Sequence, residues 1–299
     1  MCYDFKALLT RYVTVNKVKV TDLGNMARKC GVFPESNKAA TIEKLAAELA
    51  KPSVHDKPFH LISFDVGLHN FSFCRIKKDP GHWTTPPSVV QWYKVDLHKY
   101  TGIKDKTFTP LNYYAIIKNV VDRLIYTEKE SPDVVIVERQ RFRSFGGART
   151  VVETVLKSNV LEMILIASVL NLGKSELINQ SPRNMVQYWA PGGIKKDQRI
   201  HLVIGWVEKL LRNETDSVPF RFGPCFDLKN LPKVRKNTLS SAYLYNLVEA
   251  LNTVNSEYGV TVEKSRSKGD DAADSLLHGL LFFQYEQHKE SIRQTLIKG

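Results

Sequence analysis

The chain has 299 residues, 43% hydrophobic and 25% charged, a composition that excludes collagen-like, mucin-like and wholly disordered proteins. Lys and Arg outnumber Asp and Glu by 43 to 31, a formal net charge of +12, which favours a polyanionic partner such as nucleic acid or an anionic membrane face. No run reaches the ~18 consecutive apolar residues of a bilayer span, so neither a span nor a membrane partner is expected.

Four cysteines, Cys2, Cys30, Cys74 and Cys225, stand apart without a Cys-x-x-Cys pair and read as reduced thiols. The first twenty residues carry Lys6, Arg11, Lys17 and Lys19 against Asp4. That bias is transit-like, although it defines no presequence. Residues 4–50 read as short helices: Phe5, Leu8 and Leu9, then Leu23, Met26 and Ala27 closed by Cys30-Gly31, then Ile42, Leu45 and Leu49 at spacings of three and four. Residues 51–58 hold two prolines and read as a linker. The expected division is therefore a helical module over 1–50, the linker, and a larger domain over 59–299.

From residue 59 the pattern turns to strands. His60 to Asp65, Phe71 to Lys77 and Val89 to Val95 are joined by short turns and should pair antiparallel. A helix over Pro110 to Glu128 precedes the strand Val134 to Glu138. Then follow a helix over Gly147 to Leu170, a strand over Glu176 to Gln180, and a helix opened by Pro182. Further helices fit Asp197 to Leu211, Leu239 to Leu251 and Asp270 to His288, with a basic, Pro-rich loop over Val218 to Lys236. This order predicts an α/β fold, a mixed sheet flanked by helices. The helix ending at Leu170 is apolar on several faces, at Val152, Val155, Leu156, Val160, Ile164 and Leu165. Burial in the core and against a second subunit would explain that; full burial within one chain is the alternative.

Four acids stand where strands and helices end. Asp65 precedes Val66-Gly67 and Glu138 closes an apolar strand, while Asp271 and Asp274, three apart, share one helix face. Asp270 reads as the helix N-cap. Each acid alone has a plain reading, as a turn, a solvated strand end or an answer to the helix dipole. Gathered, they suit hard divalent cations, Mg²⁺ or Mn²⁺, and two such ions can drive phosphodiester hydrolysis. His278, four residues past Asp274, could approach the group, though a satisfied helix-face histidine is the plainer reading. Between Arg139 and Asn213 twelve Lys/Arg face five acids. Arg139, Arg141 and Arg143 directly follow Glu138, which favours phosphate contact over a merely solvated surface.

Ser63-Phe64-Asp65-Val66-Gly67 with Asn70, Val137-Glu138-Arg139-Gln140-Arg141-Phe142-Arg143-Ser144, Ser181-Pro182-Arg183 and Lys268-Gly269-Asp270-Asp271-Ala272-Ala273-Asp274 together resemble the fungal mitochondrial Holliday-junction resolvases. These are cruciform-cutting endonucleases related to RuvC, within the ribonuclease H-like superfamily. The resemblance implies a ribonuclease H-like sheet, Asp65, Glu138, Asp271 and Asp274 as catalytic ligands of two metal ions, and a mitochondrial homodimer that nicks four-way junction DNA. DNA contacts are expected from Arg139, Arg141, Arg143, Arg149 and Arg183 of the basic segment. Residues 20–50 resemble a SAP DNA-binding module, with Ser36-Asn37-Lys38 in place of Gly-x-Lys and Lys38 as a DNA contact; a plain helical subdomain is the alternative. Rival readings are a superfamily nuclease for RNA–DNA hybrids or transposon ends, and a non-catalytic branched-DNA binder. An actin-like ATPase would need further phosphate loops than Gly146-Gly147 and Gly192-Gly193 supply, so no nucleotide cofactor is expected.

Overall fold

The structure is a computed structural model that describes residues 3–105, 107–127, 130–140, 149–190, 196–224, 226, 228, 240–251 and 269–298. Its elements run α1 (Phe5–Val15), α2 (Val20–Lys29), α3 (Lys38–Ala50), β1 (Phe59–Asp65), β2 (Phe71–Lys78), β3 (Ser88–Val95), α4 (Leu97–Thr101) and α5 (Pro110–Val120). A π-helical turn (Val121–Ile125) extends α5. Then come β4 (Val134–Glu138), α6 (Arg149–Leu172), β5 (Glu176–Gln180), α7 (Pro182–Trp189), α8 (Lys196–Leu211), β6 (Arg221–Phe222), α9 (Ser241–Leu251) and α10 (Asp270–Lys298).

The chain separates into two compact units, one comprising Phe59–Lys78 with Pro86–Gly279, the other Met1–Pro58 with Asp79–Thr85 and Leu280–Gly299. The larger unit is built on a sheet of order β5-β4-β1-β2-β3-β6. β1, β2 and β3 pair antiparallel, as their short turns require, and β4 and β5 run parallel to β1. Alternation along each strand then sorts the side chains. Ile62, Phe64, Val135 and Val137 enter a core with Ile116, Ile117 and Val120 of α5 and Leu161, Leu165 and Val169 of α6. Ser63 points the other way, where its Oγ donates to Ser275 O of α10 at 2.6 Å.

Several elements depart from expectation. The stretch read as a loop over Val218 to Lys236 contributes β6, which pairs in parallel with β3. The helix expected to run to Glu128 instead widens into the π-helical turn, where Arg75 Nη2 donates to Leu124 O. α10 continues past His288 to Lys298, and Asp270 is its first residue rather than its cap. By length and composition Val155–Leu172 could cross a bilayer, although no long unbroken apolar run announced it. Its Leu161, Leu165 and Val169 are fully buried on the sheet and Glu162 is buried beside them, so one stripe of the helix faces the core. Ile164 packs on that same core. The apolar surplus on α6 lies instead at Leu156, Met163 and Leu170, which are 47%, 65% and 59% exposed.

The smaller unit packs Leu9, Leu23, Ala27, Cys30, Leu45 and Leu49 around Leu296. Lys289 pairs with Glu48 at 2.9 Å and Glu286 at 2.7 Å, while Arg293 donates to Leu49 O and Lys51 O at 2.8 and 2.7 Å. The C-terminal part of α10 thus belongs with the N-terminal helices, and the helical unit is larger than residues 1–50. Gly31 sits at φ +76°, where a Cβ would lie 2.7 Å from the Tyr285 ring, so both backbone and space demand glycine. Asn37 caps α3 by accepting from Ala40 N at 2.8 Å. Cys30 and Cys74 are buried free thiols; Cys2 and Cys225 lie outside the described residues.

Candidate active site

The register of β1 against β4 runs through Phe64 and Val137, so Asp65 and Glu138 leave the sheet side by side at the carboxyl ends of parallel strands. Both follow residues that point into the core, and alternation turns both toward α10. The first turns of α10 are pinned over the same face. Trp92 Nε1 donates to Ala272 O at 2.9 Å, Ser72 Oγ lies 3.0 Å from Ser275 Oγ, and Trp189 Nε1 donates to Leu277 O at 3.2 Å. These bonds give buried polar groups partners and leave α10 little freedom to slide. Asp274 is thereby brought to the strand ends, where carboxylate oxygens of Asp65, Glu138 and Asp274 all lie within 4.8 Å of one another.

Such proximity is electrostatically unfavourable without a cation. Burial, then the charges of Glu138, Asp271, Asp274 and Asp270, hold the Asp65 carboxyl well above the usual carboxylate range. Asp274 is pushed up to about 7, chiefly by burial, with Glu138 adding to the shift and Arg199 opposing it. Glu138 Oε2 is buried without a hydrogen-bond partner among the described residues, an orphaned acceptor 3.3 Å from His278 Nε2. Three converging oxygen donors and that orphan fit a hard divalent cation.

Asp271 does not join the three. It is one residue further into α10 than Asp270 and forms an ion pair with Lys94 Nζ at 2.8 Å, a lysine only 2% exposed on β3. Asp270 is buried at the helix start, with Ser241 Oγ 3.4 Å from its Oδ1. Arg199 Nη1 of α8 meets Asp274 Oδ1 at 2.5 Å. His278 is fully buried: its Nε2 lies 3.3 Å from Glu138 Oε2 without hydrogen-bond alignment, and its Nδ1 lies 3.1 Å from Gln180 Oε1. Lys94 and Arg199 were not singled out from the sequence. A lysine between Tyr93 and Val95 in an apolar strand was the available signal, since buried lysines need a partner; Arg199 is lost among the basic residues around it.

Among the expected DNA contacts, Arg139 is exposed directly beyond Glu138 and Arg183 is exposed in the first turn of α7. Lys38 is exposed at the start of α3 in the smaller unit, its Nζ donating to Val18 O at 2.6 Å. Arg141 and Arg143 lie outside the described residues, as does the side chain of Arg149.

A mixed sheet whose parallel strands deliver two carboxylates beneath a helix that delivers a third has the ribonuclease H-like arrangement. The family model described as mitochondrial resolvase Ydc2 / RNA splicing MRS1 matches residues 61–292, and the chain belongs to that family. It is 25% identical over 280 residues to the mitochondrial cruciform cutting endonuclease 1 of Saccharomyces cerevisiae, covering 83% of this chain and 75% of that protein. Identity to the Schizosaccharomyces pombe protein of the same name is 23% over 185 residues, 58% of this chain and 67% of the relative. The crystal structure of the yeast mitochondrial Holliday junction resolvase Ydc2 shares the fold, with a TM-score of 0.58 at 18% identity over 94% of this chain and 99% of that one.

Proposed function

We propose that this chain is a mitochondrial Holliday-junction resolvase, a metal-dependent endonuclease that makes paired nicks in four-way DNA junctions. The observation that carries this is the convergence of Asp65, Glu138 and Asp274. A family whose description also names RNA splicing could retain the fold for binding alone, but a binding protein has no use for three mutually repelling carboxylates. Mg²⁺ or Mn²⁺, two ions per site, would supply an activated water and a counter-charge for the leaving oxygen. Asp65, Glu138 and Asp274 hold the cation position, with Asp271 as a fourth ligand on leaving Lys94. Arg139, Arg183 and the neighbouring basic residues contact phosphates, and Lys38 of the helical module adds a further DNA contact.

The test compares cutting of a four-way junction, a linear duplex and an RNA–DNA hybrid in Mg²⁺, in Mn²⁺ and in chelator. Symmetric nicks in the junction alone, abolished by chelator, are expected. Equal cutting of the hybrid or the duplex would assign the site to another nuclease of this superfamily.

Two scissile strands related by a two-fold axis call for two sites, and α6 offers a surface for a homodimer. Leu156, Met163 and Leu170 repeat every seven residues, the spacing of a helix–helix seam. Met163→Glu, and independently Leu156→Glu, should convert a dimer to monomers in sedimentation and uncouple the two nicks, because a charge would be buried in an apolar interface. If both variants remain dimeric, the interface lies elsewhere.

A further inference from the structure

The backbone that leaves β4 is tied to α6 by a hydrogen-bonded relay that the metal cluster does not use. Glu162 is 7% exposed on α6, beside the fully buried Leu161. A carboxylate at that depth is costly unless its oxygens are satisfied, and a leucine would pack there at no such cost. Its Oε2 accepts from Gln140 N at 2.9 Å and its Oε1 accepts from Asn179 Nδ2 at 2.7 Å. That fixes the orientation of the Asn179 amide, whose Oδ1 accepts from Arg139 Nε at 2.7 Å. Asn179 O takes Arg139 Nη2 at 3.4 Å, and Arg139 N donates to Gln180 O at 2.9 Å. The guanidinium of this exposed residue is therefore held through Nε and Nη2, next to Glu138, and its Nη1 edge is the open one that the relay does not use.

We propose that Glu162 is a positioning residue for DNA: through Asn179 it orients Arg139 so that the open edge of the guanidinium meets a phosphate beside the metal cluster. The proposal rests on reading the site as a DNA nuclease. Glu162 touches no substrate, so its effect reaches the DNA only through the relay. The polarity of the relay makes it testable. Glu162 accepts twice, and Asn179 donates once and accepts once. Glu162→Gln turns an amide N–H₂ against the Asn179 donor, and Asn179→Asp turns a carboxylate against Glu162. The two changes together restore every bond with the carboxylate moved one step: the amide at 162 donates to the carboxylate at 179, which still accepts from Arg139, while the remaining amide oxygen still accepts from Gln140 N.

The experiment measures affinity for a four-way junction against salt concentration in chelator, and single-turnover cleavage in Mg²⁺, for the full chain. Each single variant should flatten the salt dependence by about one unit, the share of one phosphate contact. Half-saturation should also shift to higher junction concentration, with a smaller effect on the maximal rate. The double variant should recover both. A purely structural role would lower the melting temperature of the single variants without this recovery of the salt slope. Single variants that fold and keep the wild-type slope, or a folded double variant that stays as flat as the singles, would overturn the proposal. Should Glu162→Gln not fold, Asn179→Ala cuts the same relay and must flatten the slope. A wild-type chain without junction binding would instead remove the DNA reading itself; a steep wild-type slope that no variant alters removes only the relay.

Discussion

Asp65→Asn should abolish metal-dependent cleavage, leave junction binding intact, and raise the melting temperature of the metal-free protein. The substitution keeps the shape of the side chain and removes one negative charge from a cluster packed within 4.8 Å. A divalent cation loses a ligand and part of its attraction, so cleavage falls to background. Without metal the effect on stability has the opposite sign. The Asp65 carboxyl is held well above its usual range and that of Asp274 at about 7, so the native state binds protons that the unfolded chain has already released. Stability contributed by those protons is complete below the usual carboxylate range and is lost as pH rises toward the native values. Relative to Asp65→Asn, the metal-free wild type should therefore lose melting temperature from about pH 4 to about pH 7, where the unfolded carboxyls have ionised and the native ones have not; the comparison cancels the opposite slope of His60 and His288, whose imidazoles burial holds below their usual range. Mg²⁺ should reverse the loss at neutral pH. In Asp65→Asn the pH dependence should flatten, each kcal/mol recovered being worth about 2–4 °C. Melting curves in chelator and in Mg²⁺, with junction binding in chelator, check all three statements. A variant that still cleaves would remove Asp65 from the metal site.

Much of this site could be read from the sequence because its logic is local. Asp65 and Glu138 each close an apolar strand, and the period of two then puts both on one face once the strands pair in parallel. Asp271 and Asp274 share a helix face by spacing alone. What spacing could not reveal is which carboxylate a cation has already taken. Lys94 and Asp271 are far apart in the chain and meet only because β3 passes beneath the start of α10. The same holds for Arg199 and Asp274, brought together by α8. One-residue errors also matter at a helix start: reading Asp270 as the cap left it outside the site, whereas in the structure it is buried in the first turn and its charge contributes to raising Asp65. The two-residue β6 and the five-residue α4 carry too few residues to express any period, so only tertiary pairing defines them.

Gly279→Val should destabilise the protein by about 2–3 kcal/mol, the cost of forcing methyl groups into a filled core, lowering its melting temperature by about 5–10 °C. In an open helix the opposite is expected, since glycine in a helix interior is about 1 kcal/mol worse than alanine. Gly205 on α8 is such a position, with nothing within 4 Å of a built Cβ, and Gly205→Ala should stabilise. At Gly279 a Cβ would lie 2.7 Å from Ile76 Cδ1, 2.8 Å from Ser63 Oγ and 3.3 Å from Leu61 Cδ2. The Ile76 methyl can swing aside. Ser63 Oγ cannot, because it donates to Ser275 O at 2.6 Å and lies 3.2 Å from Cys74 O. Relief therefore comes from lifting α10 off β1, and Asp274 stands little more than one turn before Gly279 on the same helix. The lift would separate Asp274 from Asp65 and Glu138, so Mn²⁺ affinity should fall together with stability, even at temperatures where the variant is fully folded. Calorimetric Mn²⁺ titration of Gly279→Val, Gly279→Ala and Gly205→Ala at such a temperature distinguishes the outcomes. A stabilised Gly279→Ala with unchanged Mn²⁺ affinity would show that the contact between α10 and β1 does not set the geometry of the carboxylates.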